Sequence, residues 1–181
     1  MESIKEAAVL RGEFTLRSGA TSNYYVDKYR FTTNPALLRS ITEIMAERIR
    51  DIDSSAVRGT PGERGVSRLA GAELGGIPLV TAAGLMLDKP FVFIRNAKKD
   101  YGTAKQLEGE LTATDRVVLL EDIATTGGQA VEAIDVLRHA GAEVLAVIAV
   151  VDRLEGARAS IEGAGVRFES LLTKRDLGID D

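Results

Sequence analysis

Cysteine is missing from all 181 residues of the chain, which removes disulfide frameworks, thiolate zinc sites and cysteine nucleophiles from consideration. Histidine is almost missing: His139 stands alone near the end of a helical pattern, where a surface role or an interaction with the helix dipole accounts for it without catalysis. No apolar run approaches the ~20 residues needed to cross a bilayer, and the opening MESIKEAAVLRGE is charged throughout, unlike a secretory signal. No membrane partner is therefore expected, and a cytoplasmic location is the simplest fit. Positive charge is also short. Lys and Arg number 23 against 27 Asp and Glu, and the formal net charge of −4 gives the surface no general affinity for nucleic acid. The signatures G-x-x-x-x-G-K-[ST] and G-x-G-x-x-G do not occur, so P-loop and dinucleotide readings are unsupported. Phosphate chemistry, if present, must come from a local site of another kind.

What the chain does have is an ordinary globular composition, 45% hydrophobic and 28% charged, on a length suited to one domain spanning residues 1–181. Asn34 and Pro35 read as an N-cap and first helical residue, and Leu37, Leu38, Ile41, Ile44, Met45 and Ile49 follow at helical spacing. Residues 51–65, rich in Ser, Gly and charge without usable periodicity, read as a loop. Next come a weak strand at 66–70, a glycine turn at 71–76, a small-residue helix to about Leu87 and an apolar strand at 91–94. A strand at 117–120, a helix marked by Ala130, Val131, Ile134 and Leu137, a terminating Gly141 and a buried strand at 144–151 complete a βαβ unit. Continuous apolar strands alternating with helices predict an α/β fold, a parallel sheet flanked by helices, with the more polar first ~30 residues forming a hairpin-like cap.

The stretch VVLLEDIATTGGQA, residues 117–130, concentrates the chemistry. In open parallel sheets ligands bind beyond the carboxyl ends of strands, where Glu121, Asp122 and the Thr/Gly loop fall. Glycines let backbone approach a ligand, and successive N–H groups entering a helix form a nest for an anion such as phosphate. The acids cannot touch that phosphate, but they can accept hydrogen bonds from sugar hydroxyls or help hold a cation such as Mg²⁺ through water. A ligand site and a simple turn with a helix cap both fit this pattern.

VVLLEDIATTGGQ resembles the phosphoribosyl pyrophosphate (PRPP) motif of type I phosphoribosyltransferases. GEFTLRSGATSNYYVDKY, residues 12–29, is similar to the opening of orotate phosphoribosyltransferases in particular, through Phe-x-Leu-x-Ser-Gly and Ser-x-Tyr-Tyr-x-Asp. RNAKKDYGTAKQLEG, residues 95–109, resembles that family's mobile catalytic loop, and VVDRLEG, residues 150–156, its orotate-binding strand end. The resemblance covers nearly the whole chain. It implies a type I phosphoribosyltransferase-like fold in which residues 1–33 contribute to a base-binding hood. It implies the reaction of orotate with PRPP to give orotidine 5′-monophosphate and pyrophosphate, with Mg²⁺, in de novo pyrimidine synthesis. It also implies a homodimer whose 95–109 loop reaches the neighbouring active site.

By the same resemblance, Glu121 and Asp122 would hold the ribose hydroxyls, and Ile123, Ala124, Thr125, Thr126, Gly127, Gly128 and Gln129 would complete the PRPP site around the 5′-phosphate. Arg95, Lys98, Lys99 and Tyr101 would meet the diphosphate, with Arg95, Lys99 and Asp122 the catalytic set. Arg17, Tyr24, Tyr25, Thr125 and Arg153 would bind orotate, and residues 71–76 would approach pyrophosphate through their backbone. Mg²⁺ would be held through PRPP and waters, with no protein ligand assigned directly. A guanidinium pairs bidentately with a carboxylate, and an aromatic ring stacks on a planar pyrimidine, so these residue types suit the role. Arg95, Lys98, Lys99 and Lys105 fall within eleven residues whose only acid is Asp100, a concentration of positive charge suited either to a departing diphosphate or to a solvated loop. Tyr24 or Tyr25 could instead put a ring into the core, and Arg153 could simply pair with Asp152 at the surface.

The chain departs from the family pattern where Asn96 replaces a usual lysine, Tyr101 a frequent histidine and Gln129 a small hydroxyl residue, and where residues 58–67 are glycine-rich with no obvious strand. Two other readings follow: a catalytically weak relative that senses PRPP or a nucleotide, and a purine or uracil phosphoribosyltransferase, which the 12–29 segment disfavours.

Overall fold

The computed structural model describes residues 2–15, 19, 21–59, 65–96 and 106–179. At the N-terminus a short helix, α1 (Glu2–Ala8), leads into a hairpin of β1 (Val9–Thr15) and β2 (Thr21–Val26), paired antiparallel from Val9↔Val26 to Thr15↔Thr21. This is the expected cap. Its inward residues Ile4, Ala8 and Val26 join the same apolar cluster as the sheet, while its outward positions are mostly exposed.

After the one-turn helix α2 (Tyr29–Thr32), Asn34 caps the long helix α3 (Pro35–Gly59): its Oδ1 accepts the N–H groups of Ala36 at 3.0 Å and Leu37 at 3.2 Å. The helix continues past residue 50, so the loop expected over 51–65 begins later. Ile52, three residues beyond Ile49, remains buried. Asp53 accepts the Val66 N–H at 2.9 Å and pairs with Lys89 at 3.3 Å, tying the last turns to the sheet. The apolar stripe thins there to Ile52, Ala56 and Val57 among Ser, Asp and Gly, which is why periodicity alone ended the helix early.

The main sheet runs β5 (Leu107–Glu108), β4 (Phe91–Ile94), β3 (Arg68–Ala72), β6 (Arg116–Ala124), β7 (Glu143–Asp152) and β8 (Arg167–Thr173). All neighbours pair parallel except β5, a two-residue antiparallel edge. Strand β3 lies two residues later than expected, so Gly71 and Ala72 belong to it and the turn begins at Glu73. Gly71 is small for a packing reason: a Cβ there would sit 2.5 Å from the Gly76 carbonyl oxygen and 2.6 Å from Val80 Cγ1, where α4 (Gly76–Leu87) crosses the strand. The strand that residues 58–67 do not provide follows them directly, with Leu69 and Ala70 fully buried between β4 and β6.

Side chains on β6 alternate between two cores, as a pleated strand requires. Val118 and Leu120 pack with α3 and α4 through Ile41, Met45, Leu79 and Val80. Val117 and Leu119 pack with α5 (Gly128–His139) and α6 (Ala157–Gly163) through Ile134, Leu137 and Ile161. The sheet is thus covered on both faces. The chain builds β3 and β4 outward in one direction and then returns to place β6 on the other side of β3, creating a switch point between β3 and β6. Ligands favour the crevice at such a point. No helix among the described residues is long and apolar enough to cross a membrane.

Candidate active site

Both predicted acids lie within β6, which runs on to Ala124 and pairs with β7 as far as Ala124↔Asp152. The chain then bends through Thr125 and Thr126, reaches Gly127 in the left-handed region at φ 85°, and starts α5 at Gly128. Val131 donates its N–H to the Gly127 carbonyl at 2.9 Å, leaving the N–H groups of residues 128–130 outside the helical ladder. A cleft forms there, lined by Glu121 and every residue from 123 to 130.

Helix α6, unanticipated from the sequence, braces this loop. Ala157 donates its N–H to the Thr125 carbonyl at 3.0 Å, Ser160 donates its hydroxyl to the Thr126 carbonyl at 2.7 Å, and a Cβ on Gly127 would meet Ala157 Cα at 3.0 Å. The loop is therefore held in shape by the protein's own contacts.

The two acids have unequal surroundings. Glu121 lines the cleft; its Oε1 accepts the Asp122 N–H at 3.2 Å, and its Oε2 is buried with no hydrogen-bond partner among the described residues. Burial first, and the negative Asp122 beside it second, push the Glu121 carboxyl up to about 8. Asp122 is turned toward the β3–α4 turn. Its Oδ1 accepts the Ile123 N–H, and its Oδ2 lies 2.7 Å from Lys28 Nζ. Burial works against the Lys28 charge, but the hydrogen bond and negative charge of Asp122 outweigh it and raise the lysine above its ordinary value. Gly75, the last residue of the turn, leaves the space that this carboxylate fills: a Cβ on it would fall 1.6 Å from Asp122 Oδ2. Nothing in the sequence pattern marked Lys28 or Gly75 as partners of Asp122.

Arg153 follows the end of β7 and donates its backbone N–H to the Ala124 carbonyl at 2.9 Å, which puts it beside the Thr125 loop. Its guanidinium lies over the Tyr24 ring at 5.8 Å, reaches the Tyr24 hydroxyl at 3.4 Å, and pairs with Glu155 at 2.8 Å. Its Nε is buried without a partner among the described residues. Tyr24 packs partly against the core, whereas Tyr25 takes the other face of the hairpin, exposed and beside Phe14 at 5.7 Å between ring centroids. The structure therefore joins Tyr24 to Arg153 but not Tyr25. Arg153 pairs with Glu155, while Asp152 accepts the Leu154 N–H at 2.8 Å.

Arg95 stands at the end of β4, its N–H donated to the Gln106 carbonyl at 2.8 Å, and its guanidinium 3.8 Å from Glu108. Asn96 donates its N–H to Glu73 at 2.7 Å, and Gln129 donates its amide to Asn96 Oδ1 at 3.5 Å. Two positions that depart from the family pattern, Asn96 and Gln129, thus touch each other at the rim of the cradle. Arg17, Lys98, Lys99 and Tyr101 lie outside the described residues. His139 sits in the last turn of α5 with Nδ1 2.6 Å from the Asp135 carbonyl, away from these groups. No cluster of three His, Cys, Asp or Glu spaced for a metal occurs among the described residues.

A phosphoribosyl transferase domain model matches residues 29–170. The orotate phosphoribosyltransferase of Natronomonas pharaonis is 45% identical over 181 residues, covering 99% of this chain and 96% of that one. The crystal structure of orotate phosphoribosyltransferase from Aeropyrum pernix superposes with a TM-score of 0.80 at 31% identity, covering 97% of this chain and 94% of that one. The Mycobacterium tuberculosis H37Rv enzyme in complex with PRPP gives a TM-score of 0.76 at 32% identity, with 98% and 96% covered. The sheet order, the acid and glycine junction and these near full-length matches agree, and the chain belongs to the orotate phosphoribosyltransferase family of phosphoribosyl transferase domain proteins.

Proposed function

We propose that this chain transfers the 5-phosphoribosyl group of PRPP to orotate, forming orotidine 5′-monophosphate and pyrophosphate as a step of pyrimidine synthesis. The observation that carries the reading is the contact of Arg153 and Tyr24 beside the Thr125 loop, because it gives the phosphate cradle a neighbour suited to a planar carboxylate. In this reading the free N–H groups at the start of α5 and the hydroxyls of Thr125 and Thr126 take the 5′-phosphate. Glu121 and Asp122 accept the ribose hydroxyls, and the backbone of the 73–75 turn meets the diphosphate. Arg153 pairs with the orotate carboxylate, while the Tyr24 ring packs against the base.

The reaction forms a bond from a ring nitrogen of orotate to the anomeric carbon as the bond from that carbon to the diphosphate breaks, its electron pair leaving with the diphosphate, while the proton of that ring N–H passes to the departing diphosphate or to water. Catalysis on this chain is positioning plus neutralisation of the leaving group by Arg95, Lys98 and Lys99. The carboxylate oxygens near the cleft suit a hard cation approached through water, and the described residues offer no larger ligand set, so Mg²⁺ would be held by PRPP and waters. When bound, Mg²⁺ supplies neutralisation of the diphosphate charge. A homodimer, with the 95–109 loop completing the neighbouring site, is part of the same reading. The near full-length match to enzymes favours this over a PRPP-sensing regulator.

The test is an acceptor panel. Pyrophosphate release from PRPP is measured with orotate, uracil or hypoxanthine as the sole base. Release with orotate alone is expected, and release with uracil or hypoxanthine but not orotate would overturn the assignment.

A further inference from the structure

Glu121 and Asp122 are adjacent buried acids; Glu121 answers the repulsion by holding its proton more tightly, and one cation reaches Asp122 from outside the sheet. That cation is Lys28, 94 positions earlier in the chain, on the segment that leaves the hood hairpin. Its backbone is fixed. Asp27 donates its N–H to the Ala8 carbonyl at 2.8 Å, accepts the Tyr29 N–H on its side chain at 3.1 Å, and accepts the Arg30 N–H on its carbonyl at 3.2 Å. From that turn the ammonium reaches Asp122 Oδ2 at 2.7 Å, and among the described residues no other cation is ion-paired with either acid. Neither Lys28 nor Asp122 lines the cleft formed by Glu121 and residues 123–130; the two meet behind it, on the side of the β3–α4 turn.

We infer that Lys28 is a positioning residue for the ribose subsite: reaching over from the hood, it locks the Asp122 carboxylate against Gly75, so that both acids offer their open acceptor positions to the ribose hydroxyls of PRPP. This deepens the proposed reading of the site as PRPP-binding and rests on it. Asp122 is held at both oxygens, Oδ2 by Lys28 and Oδ1 by the Ile123 N–H, which fixes the plane of the carboxylate and leaves one acceptor position on each oxygen. Glu121 Oε2, buried with no hydrogen-bond partner among the described residues, is the complementary position on the cleft side. Two of the contacts between this N-terminal segment and the core, four residues apart, fall at the candidate site: Tyr24 on Arg153 and Lys28 on Asp122. The stretch from β2 into the following turn thus carries both the proposed base contact and the proposed sugar contact.

The 181-residue chain and its Lys28→Met and Lys28→Arg variants are compared by calorimetric titration with PRPP, by separate KM values for PRPP and orotate, and by thermal melting. Lys28→Met keeps the aliphatic stem and removes the charge. It is expected to weaken PRPP about tenfold, the equivalent of one charge-assisted contact, with the orotate KM little changed, while Lys28→Arg recovers most of the loss. Unchanged PRPP affinity in Lys28→Met overturns the inference, as does an equal loss for PRPP and orotate, or an Lys28→Arg variant no better than Lys28→Met. If the unaltered chain binds PRPP but turns over no orotate, the acceptor assignment fails while the titrations still decide the role of Lys28.

Discussion

Gly75→Ala probes the proposed ribose subsite from behind Asp122. The residue has φ −77° and ψ −22°, a conformation that alanine adopts without strain, so backbone cost is small and the effect is steric. The new Cβ would lie 1.6 Å from Asp122 Oδ2, 2.5 Å from its Cγ and 3.0 Å from its Cβ. Ordinary contact requires ~3.5 Å, so the carboxylate must retreat by about 2 Å. Oδ2 is the atom that meets Lys28 at 2.7 Å, and a shift of that size breaks the contact. A hydrogen bond to a charged group is worth about 1.5–3 kcal/mol, so PRPP affinity should fall roughly ten- to a hundredfold if the carboxylate placement is what PRPP reads. Calorimetric titration with PRPP measures this directly, with a melting curve to register the structural share. Gly128→Ala is the control from the opposite wall: its Cβ would meet nothing closer than Thr126 Oγ1 at 3.8 Å, so any loss of PRPP binding should come without loss of stability. Wild-type PRPP affinity in Gly75→Ala would refute the argument that Asp122 is held in a binding geometry.

Other predictions follow from individual side chains. Glu121, raised to about 8 from an ordinary 4.5, keeps in the folded chain a proton that the unfolded chain gives up. Its contribution therefore falls as pH rises through that window and levels off above it, and Glu121→Gln should flatten this part of a melting-temperature series; coincident curves would contradict the shift. Arg153→Ala should raise the KM for orotate several-fold more than that for PRPP, and the reverse order in steady-state kinetics would place Arg153 in the wrong subsite. Asp115 accepts Ser67 Oγ at 2.8 Å, Arg68 Nε at 2.9 Å and the Thr112 N–H at 2.8 Å. Asp115→Asn should therefore cost about 1–3 kcal/mol in denaturant unfolding and leave kcat intact, a loss of activity without loss of stability being the contrary result. Burial opposes its ionisation, but those donors hold Asp115 below its ordinary value, so its stabilisation is present above pH 3.8 and disappears as pH falls further.

The geometry of the 117–130 junction was legible in the sequence because every link in it is local: an apolar strand, two acids, a glycine that supplies a positive φ and a helix start, all within fourteen residues. The parallel, two-sided sheet was legible for the same reason, since β6 and β7 carry nearly unbroken apolar runs. What stayed hidden was long-range or short. The contact of Lys28 with Asp122 joins residues with no pattern in common, and Tyr24 was separated from Tyr25 only by the hairpin register. Strand β8 alternates weakly and α6 has seven residues, too few for periodicity to register, yet α6 braces the cradle through Ala157 and Ser160. The end of α3 was missed because tertiary contacts of Ile52 and Asp53, rather than helix propensity, carry it forward.

The central claim is tested most directly by following the ultraviolet absorbance of orotate with PRPP and Mg²⁺ present, and with each omitted in turn. The account predicts loss of orotate that requires the protein, PRPP and Mg²⁺ together, with pyrophosphate released in equal amount. Orotate left unchanged under the complete mixture, by protein that titrates normally with PRPP, would contradict it.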